Sequence, residues 1–220
     1  FASETDFVYG AYRSAFGDEA AGSRDELLGL DIYSYLSTVS CEDEALRPET
    51  ATIKTVYDEI QNIANIFGVP AQGEALIAEM QARLEAVTET IGDDAEPVKI
   101  FWYDSGTEDV FAGACCGTPN EIIRLVGAEN IFADAAGSWA TVSWEEVIDR
   151  DPEAIVIIEA EWSPADEKIE LLTTNPAFAD ITAVQNERFI VVPFSATTLG
   201  IRNVDAVEAV ATGLYPEKFE

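Results

Sequence analysis

Hydrophobic and polar residues follow a helical period in the first half of the chain. Residues 53–68 place apolar side chains three and four positions apart, which predicts an amphipathic helix that ends at Gly68. Residues 71–92 repeat this spacing, and as one continuous helix they would extend about 33 Å. The apolar stripe of this longer helix consists of Leu76, Met80, Leu84, Val87 and Ile91. A helix of that length can span the height of a small domain.

Short apolar runs, typical of strands, alternate with helical segments in the second half of the chain. The predicted strands are residues 99–103, 130–132, 154–159 and 188–193. The predicted helices are residues 118–127, 143–152, 166–176 and 203–214. Because this alternation is typical of parallel sheets, residues 98–214 should form four or five mostly parallel strands with helices on both faces.

The N-terminal segment shows a shorter version of the same pattern. Residues 6–10 and 31–38 are predicted to be strands. Two parallel strands are too few to form a stable sheet alone, so this segment is interpreted as part of a lobe. We therefore divide the α/β chain into a partial N-terminal lobe (1–70), a connecting helix and linker (71–96) and a C-terminal lobe (97–220).

Composition and charge restrict the classes of function. The 220 residues include 42 acidic and 12 basic side chains, a formal net charge of −30, and no histidine. Such a surface repels phosphate backbones, so we expect no nucleic-acid partner. Without histidine, Ser-His-Asp and Cys-His catalysis are excluded within this chain. The acid excess favours a well-solvated surface, and attraction to cations or to a basic partner is the alternative.

Four stretches in the second half, taken in order, resemble a known family. They are NEIIRLVGAENIFAD, VSWEEVIDRDPEAIVII, NPAFADITAVQNERFIVVP and GIRNVDAVEAVATGLYPEKF. This order resembles the second lobe of the substrate-binding proteins that serve bacterial ABC importers of the iron–siderophore, haem and cobalamin type. The resemblance covers residues 97–219, and also 6–92 as the end of a first lobe and its connecting helix.

The resemblance implies a fold and a function. The family has two Rossmann-like lobes with mostly parallel sheets, joined by one long backbone helix, and it binds its ligand in the cleft between them. About one further half-lobe usually precedes the stretch DFVYG, so we expect that half-lobe to be missing from this sequence. The expected function is extracytoplasmic capture of an iron–siderophore-like complex and its delivery to a membrane permease, without enzymatic activity. The alternatives are haem or cobalamin binding by the same fold, or a non-transport interaction module derived from the family.

The resemblance also implies partners and a location. The protein would be a monomer in the periplasm or at the cell surface, held to the membrane only by a lipid anchor outside this chain. Its partners would be a small-molecule metal complex and the importer permease. Glu145, in the stretch VSWEEVI, matches the position at which an acidic residue of the family meets permease arginines. An ordinary role for Glu145 in the first helical turn is compatible with that contact.

Candidate ligand contacts follow the carboxyl ends of the predicted strands, where open α/β sheets bind ligands. They are Tyr12, Arg13, Tyr103, Asp104, Trp139, Trp162, Thr198 and Arg202. Aromatic faces offer stacking area and guanidinium groups pair with anionic oxygens, a combination that suits a large, flat, partly anionic ligand. It suits a bare metal ion badly, since histidine and a tight carboxylate cluster are missing. We therefore expect no intrinsic cofactor, and a ferric siderophore or another metal chelate as the ligand.

The stretch GACCGTPNEIIRL places a turn of small residues before a helix. Its glycines would let backbone amides approach a ligand, and the helix N-terminus favours negative charge. Trp139 would form a neighbouring wall, although a plain strand–helix connection with an exposed tryptophan is the alternative. Trp102 and Trp144 lie within a predicted strand and a predicted helix, and are assigned to packing.

The cysteines allow more than one arrangement. Cys115 and Cys116 are adjacent, which is not a zinc-binding spacing. The exported location that the resemblance implies favours a disulfide. Two alternatives stay open at this point, a bridge from Cys41 to one of this pair or three unpaired thiols.

An enzyme is the competing class of function. A nucleotide-dependent enzyme would show GxGxxG or GxxxxGKS after a strand, and neither pattern occurs. Asp104 and Glu161 could form a carboxylate pair, but nothing in the sequence determines their separation. The pattern therefore favours a binding protein.

Overall fold

The computed structural model describes residues 5–92 and 96–219, and the chain divides into two compact units between Glu49 and Thr50. The sequence-based boundary lay after residue 70. The structure places it earlier, because the helix that follows Thr52 packs into the core of the larger unit. Of the predicted linker, residues 93–95 lie outside the described residues.

The smaller unit is built on two parallel strands. Strands β1 (Phe7–Gly10) and β2 (Tyr33–Leu36) pair along their whole length. Helix α1 (Arg24–Gly29) lies between them in the chain, and Ser23 caps it by accepting a hydrogen bond from the Glu26 amide at 3.2 Å. Both predicted strands are therefore present, and the second is shorter than the aromatic alternation suggested.

Two helices open the larger unit. Helix α2 (Ile53–Ile66) and helix α3 (Pro70–Ile91) pack against each other, and Gly73 permits the close approach. A Cβ atom at Gly73 would lie only 2.6 Å from the Cβ atom of Ala64. Proline is favoured at the first helical position, where its missing N–H costs nothing, and it marks the start of α3. The prediction of one continuous long helix is confirmed.

One face of α3 is buried in the larger unit. Met80, Leu84, Val87 and Ile91 are buried in one core cluster, and Leu76 packs against that cluster while partly exposed. The inward stripe predicted from spacing is therefore confirmed.

The larger unit also contains a six-stranded sheet. Its strands are β3 (Lys99–Ser105), β4 (Val110–Gly113), β5 (Glu129–Asn130), β6 (Trp139–Val142), β7 (Ala154–Glu159) and β8 (Phe189–Pro193). Its helices are α4 (Thr118–Leu125), α5 (Trp144–Arg150), α6 (Ala165–Thr174), α7 (Thr182–Gln185) and α8 (Asn203–Leu214). The strand order is β6-β4-β3-β7-β8, with β5 beside β3.

Most neighbours of the central strand are parallel to it. Strand β3 is parallel to β5 and β7, and β7 is parallel to β8, as the sequence pattern predicted. Strand β4 is antiparallel to both β3 and β6, and the sequence reasoning missed β4 and β6. Both missed strands are short and lie among small residues, so they carry little periodic signal. The predicted strand 130–132 shrinks to β5, because Ile131 and Phe132 leave the sheet for the core.

The sheet separates two core layers. Along β3, Ile100 and Trp102 face the layer formed with α3, α4 and α8, whereas Phe101 and Tyr103 face the layer formed with α5 and α6. Trp102 is fully buried, and Trp144 is buried with its indole N–H donating to the Thr107 carbonyl at 2.9 Å. Both tryptophans are packing residues, as predicted.

Candidate functional site

The carboxyl ends of β7 and β8 lie side by side, since Glu159 pairs with Pro193 in the sheet. The connections that follow them hold several predicted ligand contacts. We define the rim as four segments of the larger unit: the β4–α4 turn (113–117), residues 135–139, the β7–α6 turn (160–164) and the β8–α8 connection (194–202). Hydrogen bonds and ring contacts join these segments to one another.

The β7–α6 turn presents Trp162 to solvent. The Trp162 side chain is 68% exposed, and its ring meets that of Phe194 edge-on with centroids 4.8 Å apart. The turn is fixed by two backbone hydrogen bonds between Ala160 and Ser163. An exposed aromatic side chain on a fixed turn loses little conformational entropy when it binds a partner.

A buried lysine supports this turn from below. The Lys168 ammonium donates to the carbonyl of Ile158 at 2.5 Å and to that of Ser163 at 3.0 Å. Beside it, the Glu159 carboxylate accepts from the Ala165 amide at 2.8 Å and so satisfies the start of α6. These contacts hold both ends of the turn that carries Trp162.

The β8–α8 connection is shaped by one buried amide side chain. Asn203 donates to the carbonyls of Ala196 and Thr198 at 2.9 and 2.8 Å, and accepts from the Gly200 amide at 3.0 Å. Arg202 directly precedes α8 and is exposed. Among the described residues, the Arg202 guanidinium makes no hydrogen bond or ion pair, and only the Arg202 carbonyl is engaged, by the Ala206 amide.

Other arginines of the larger unit are committed to internal partners. Arg83 donates to Asp205 and to both oxygens of Glu208, tying α3 to α8. Arg150 pairs with Asp134 at 2.5 Å. In a chain with so few cations, an exposed and uncommitted guanidinium on the rim stands out as a group available to an anion.

Residues 135–139 and the β4–α4 turn run alongside each other. The amides of Cys115 and Cys116 donate to the carbonyls of Ala135 and Gly137 at 3.2 and 3.1 Å. A Cβ atom at Gly117 would lie 2.7 Å from Ser138, so only glycine permits this approach. The turn therefore accommodates its neighbouring loop rather than leaving an open cradle for a ligand.

Trp139 lies at the end of residues 135–139, the loop that hydrogen-bonds to the β4–α4 turn. It begins β6, is partly exposed, and stacks on Phe111 with centroids 5.4 Å apart and rings inclined by 12°. The Thr118 hydroxyl, at the start of α4, donates to the Thr197 carbonyl on the β8–α8 connection. The Trp139 side of the rim is thereby tied to the side that carries Thr198 and Arg202.

Tyr103 is a correction to the predicted set of contacts. Its side chain is 1% exposed, and its hydroxyl donates to the Gly106 carbonyl at 2.6 Å. Burial raises the pKa of Tyr103 to about 12. Tyr103 directs its side chain into the core because it alternates with Trp102 along a strand that is covered on both faces.

Asp104 lies at the end of β3 in a partly buried setting. Burial raises the pKa of this carboxyl, and the Ser105 hydroxyl and the charge of Lys168 oppose that shift. Burial likewise lowers the pKa of Lys168, opposed by Asp104 and Glu159. Asp104 therefore belongs to a charge cluster under the rim, and its carboxylate balances a buried ammonium.

Tyr12 and Arg13 lie in the smaller unit. The Tyr12 side chain is exposed, as a ligand contact would require. The Arg13 guanidinium donates to the carbonyls of Ser40 and Cys41 at 3.0 and 2.6 Å. Arg13 thus has a local role in holding the chain after β2, which the sequence did not reveal.

The cysteines adopt neither of the two arrangements considered from the sequence. Cys115 and Cys116 form a disulfide with each other, and Cys41 is a free thiol. The bridge from Cys41 is therefore corrected to a bond between chain neighbours.

Glu145 occupies the first turn of α5 and is exposed. The capping box uses its neighbour Glu146, whose carboxylate accepts from the Ser143 amide at 3.1 Å. Among the described residues the Glu145 carboxylate has no hydrogen bond or ion pair, so it is available as an exposed charge.

Sequence reasoning missed the residues that support the rim. Lys168 lies on the same helical face as Ala165 and Leu172, so its position predicts burial by periodicity alone. Asn203 follows a Gly-Ile-Arg turn at the start of a helix, where an amide side chain commonly bonds backbone groups. Thr118 and Phe111 gave no comparable signal, because their partners are distant in sequence.

Comparison with known proteins identifies the family. The family described as "Periplasmic binding protein" matches residues 36–196, and the chain belongs to it. An uncharacterised ABC transporter substrate-binding lipoprotein of Bacillus subtilis strain 168 is 27% identical over 176 residues, covering 78% of this chain and 54% of that protein. A vitamin B12-binding protein of Pectobacterium carotovorum subsp. carotovorum strain PC1 is 29% identical over 110 residues, or 50% of this chain and 40% of that one.

A solved structure supports the same assignment. The crystal structure of a periplasmic binding protein from Veillonella parvula DSM 2008 superposes with a TM-score of 0.82 at 28% identity, covering 96% of this chain and 70% of that one. The chain spans about half the length of the curated relatives that it matches. The family resemblance inferred from the sequence is confirmed.

Two kinds of feature are absent from the described residues. No helix there is both long and apolar enough to cross a lipid bilayer. That part of the chain also holds no group of three or more His, Cys, Asp or Glu side chains arranged to bind a metal ion.

Proposed function

We propose that this chain acts in the substrate-binding component of a bacterial ABC importer, where it captures a bulky metal chelate outside the cytoplasm. The observation that carries the proposal is that the rim exposes both Trp162, whose ring contacts Phe194, and Arg202, whose guanidinium has no partner among the described residues. Both groups occur in a member of the periplasmic binding protein family. Its role is binding and delivery, without catalysis.

The chemistry of the rim favours a ferric siderophore as the ligand. Trp162 offers an indole face against which an organic ring can stack, and the partly exposed Trp139, itself stacked on Phe111, adds apolar surface to the rim. Arg202 offers paired N–H donors to carboxylate, catecholate or hydroxamate oxygens. In such a complex the siderophore's own oxygens hold the iron, so the protein needs to recognise only the organic surface and its charge.

Cobalamin is the second candidate ligand. It is favoured by the similarity to a vitamin B12-binding protein over half of this chain. Haem is a further flat, anionic complex of comparable size that the same groups could accept. The three ligands differ in charge and outline, so direct titration separates them.

Isothermal titration with ferrioxamine B, ferric enterobactin, haemin and cyanocobalamin tests the proposal. We expect one of these probes to bind with a dissociation constant in the micromolar range or below, equivalent to at least about 8 kcal/mol. Metal-free desferrioxamine B and ferric citrate serve as matched controls for the organic part and the metal part. If none of the four complexes binds, a non-transport interaction module becomes the better interpretation.

Delivery to a permease is a separate step that Glu145 would serve. Its exposed, uncommitted carboxylate at the start of α5 suits an arginine on a partner protein. Glu145→Arg should leave the titration unchanged and lower uptake in cells, because a repulsive pair replaces an attractive one. Asp149→Arg, at another exposed acidic residue of the same helix, is the matched control. Equal uptake by both variants and the parent would refute the contact.

The proposed location follows from this role. A substrate-binding component works outside the cytoplasm, in the periplasm or at the cell surface, and we propose that a lipid anchor outside this chain holds it there. The similarity to a substrate-binding lipoprotein of Bacillus subtilis supports this proposal.

A further inference from the structure

The disulfide between Cys115 and Cys116 closes a small covalent ring around a single peptide bond. That peptide lies in the β4–α4 turn of the rim, two positions before α4 begins. Both cysteines are partly exposed, so a reagent in solvent can reach the bond. A bond between chain neighbours closes almost no loop, and its stabilising effect through chain entropy is correspondingly small. Its consequence is therefore local, in the conformation of this turn.

The ring lies where backbone hydrogen bonds join three segments of the larger unit. The amides of Cys115 and Cys116 donate to residues 135 and 137, and the Ala114 amide donates to the Ser138 carbonyl at 3.1 Å. On the other side, the Cys116 carbonyl accepts from the Ala51 amide at 2.9 Å. The orientation of the peptide between Cys115 and Cys116 thus affects several of these hydrogen bonds. Ser138, which accepts one of them, is followed directly by Trp139.

Exchange with an external thiol can begin at either sulfur of the bond. Cys116 immediately precedes Gly117, the N-cap residue of the eight-residue helix α4. Attack of a thiolate on the Cys115 sulfur releases the Cys116 thiolate beside the start of α4 and leaves a mixed disulfide at Cys115.

We propose that Cys115–Cys116 is a thiol–disulfide exchange site whose redox state sets the order of the rim beside Trp139. The reactant is a dithiol. Its first thiolate attacks Cys115 Sγ, the bond to Cys116 Sγ breaks, and the Cys116 thiolate takes up a proton. The second thiol of the reagent then resolves the mixed disulfide. The two protein cysteines are reduced to thiols and the dithiol is oxidised to its disulfide, which balances two electrons and two protons.

Reduction has two expected consequences. Opening the ring lets the peptide between the cysteines rotate, so the amides of residues 114–116 should exchange with solvent about tenfold faster or more. Because the ordered rim is the proposed ligand wall, reduction should also weaken binding by about tenfold. This second consequence rests on the proposed function, whereas the first does not.

The experiment compares the folded protein before and after treatment with dithiothreitol. Alkylation by N-ethylmaleimide and peptide mapping should label Cys41 alone before reduction, and Cys115 and Cys116 as well after it. Hydrogen exchange by mass spectrometry then follows the peptides that contain residues 114–116 and 135–139. Calorimetry with ferrioxamine B, ferric enterobactin, haemin and cyanocobalamin measures affinity in both redox states.

Variants separate the redox site from general damage. The double variant Cys115→Ser/Cys116→Ser should behave like the reduced protein and should no longer respond to dithiothreitol. Cys41→Ser, at the free thiol, should keep the full response. Should the double variant fold poorly, the exchange data on the reduced parent protein decide the question without it.

Two results would overturn the proposal. One is a pair that dithiothreitol reduces only in denaturant, and the other is a pair that is reduced in the folded protein without faster exchange at residues 114–116. Faster exchange with unchanged affinity for a probe that binds would overturn the link to the ligand. Faster exchange with no binding of any probe in either state supports the redox site and counts against the proposed function instead.

Discussion

Trp162→Ala tests the central claim that the rim binds a ligand. Tryptophan side chains bury about 150–250 Å² when fully covered. Since Trp162 is 68% exposed, about 100–170 Å² of its surface is open to a partner. A ligand that covers half of this surface removes about 50–85 Å² from water, which at about 25 cal/mol per Å² is worth about 1–2 kcal/mol. Trp162→Ala should therefore weaken binding by about tenfold, and up to thirtyfold.

The cost to folding should be small by comparison. The substitution loses the edge-on contact with Phe194, which is worth about 0.5–1.5 kcal/mol. Calorimetry with the complex that binds among ferrioxamine B, ferric enterobactin, haemin and cyanocobalamin measures the affinity, and thermal unfolding measures the stability. Trp162→Phe should recover most of the affinity. Phe67→Ala, at a 56% exposed ring of the larger unit outside the rim, is the matched control and should leave affinity unchanged.

Two outcomes would contradict a ligand-binding role for Trp162. A Trp162→Ala variant with parental affinity for the bound complex, measured per folded molecule, would show that the indole does not contact it. A melting temperature lowered by more than about 10 °C would point to a structural role for the exposed ring, since 1 kcal/mol shifts a chain of this size by about 2–4 °C.

Arg202→Ala should weaken ligand binding at least about tenfold. It should not lower the melting temperature, because the Arg202 guanidinium has no internal partner in the described part of the chain. A lowered melting temperature with parental affinity would refute this prediction. Leu84→Ala should lower the free energy of unfolding, measured in urea, by about 2–5 kcal/mol, because Leu84 is only 9% exposed in the core. Gln81→Ala, at an exposed position of the same helix, should change this free energy by less than about 0.5 kcal/mol. An equally small loss for Leu84→Ala would mean that this face of the helix is not packed. Burial raises the pKa of Tyr103 to about 12, so above a pH of about 10 the unfolded state loses this proton first and the stability falls as the pH rises. Tyr103→Phe should reduce this loss of stability at alkaline pH without changing ligand affinity. An unchanged dependence of stability on pH would contradict the burial of Tyr103.

The long helix and the parallel strands were readable from the sequence because their signals are local. In α3, Met80, Leu84 and Val87 recur at helical spacing, and burying one face requires that spacing whatever the partner is. Strand β7 is an unbroken apolar run, which is typical of a strand covered on both faces. The four sequence stretches that lie among these elements carried the resemblance to the family, which the match over residues 36–196 confirms.

Side-chain direction at the strand ends required the tertiary structure. Tyr103 and Asp104 are neighbours in sequence, yet one side chain enters the core and the other joins the charge cluster with Lys168. The sequence shows that polar and aromatic residues follow β3, but their orientation depends on which helices cover each face.

By itself the sequence determined the class of fold, the inward face of α3 and the set of residues from which a site could be built, because periodicity and strand-end position are properties of the chain. Only the tertiary structure decided how the rim is held. The Asn203 contacts on the β8–α8 connection, the Lys168 support under Trp162 and the Thr118–Thr197 bond depend on how the chain folds back on itself. The disulfide between adjacent cysteines was equally undecided beforehand, because three cysteines allow several arrangements and local backbone conformation selects among them.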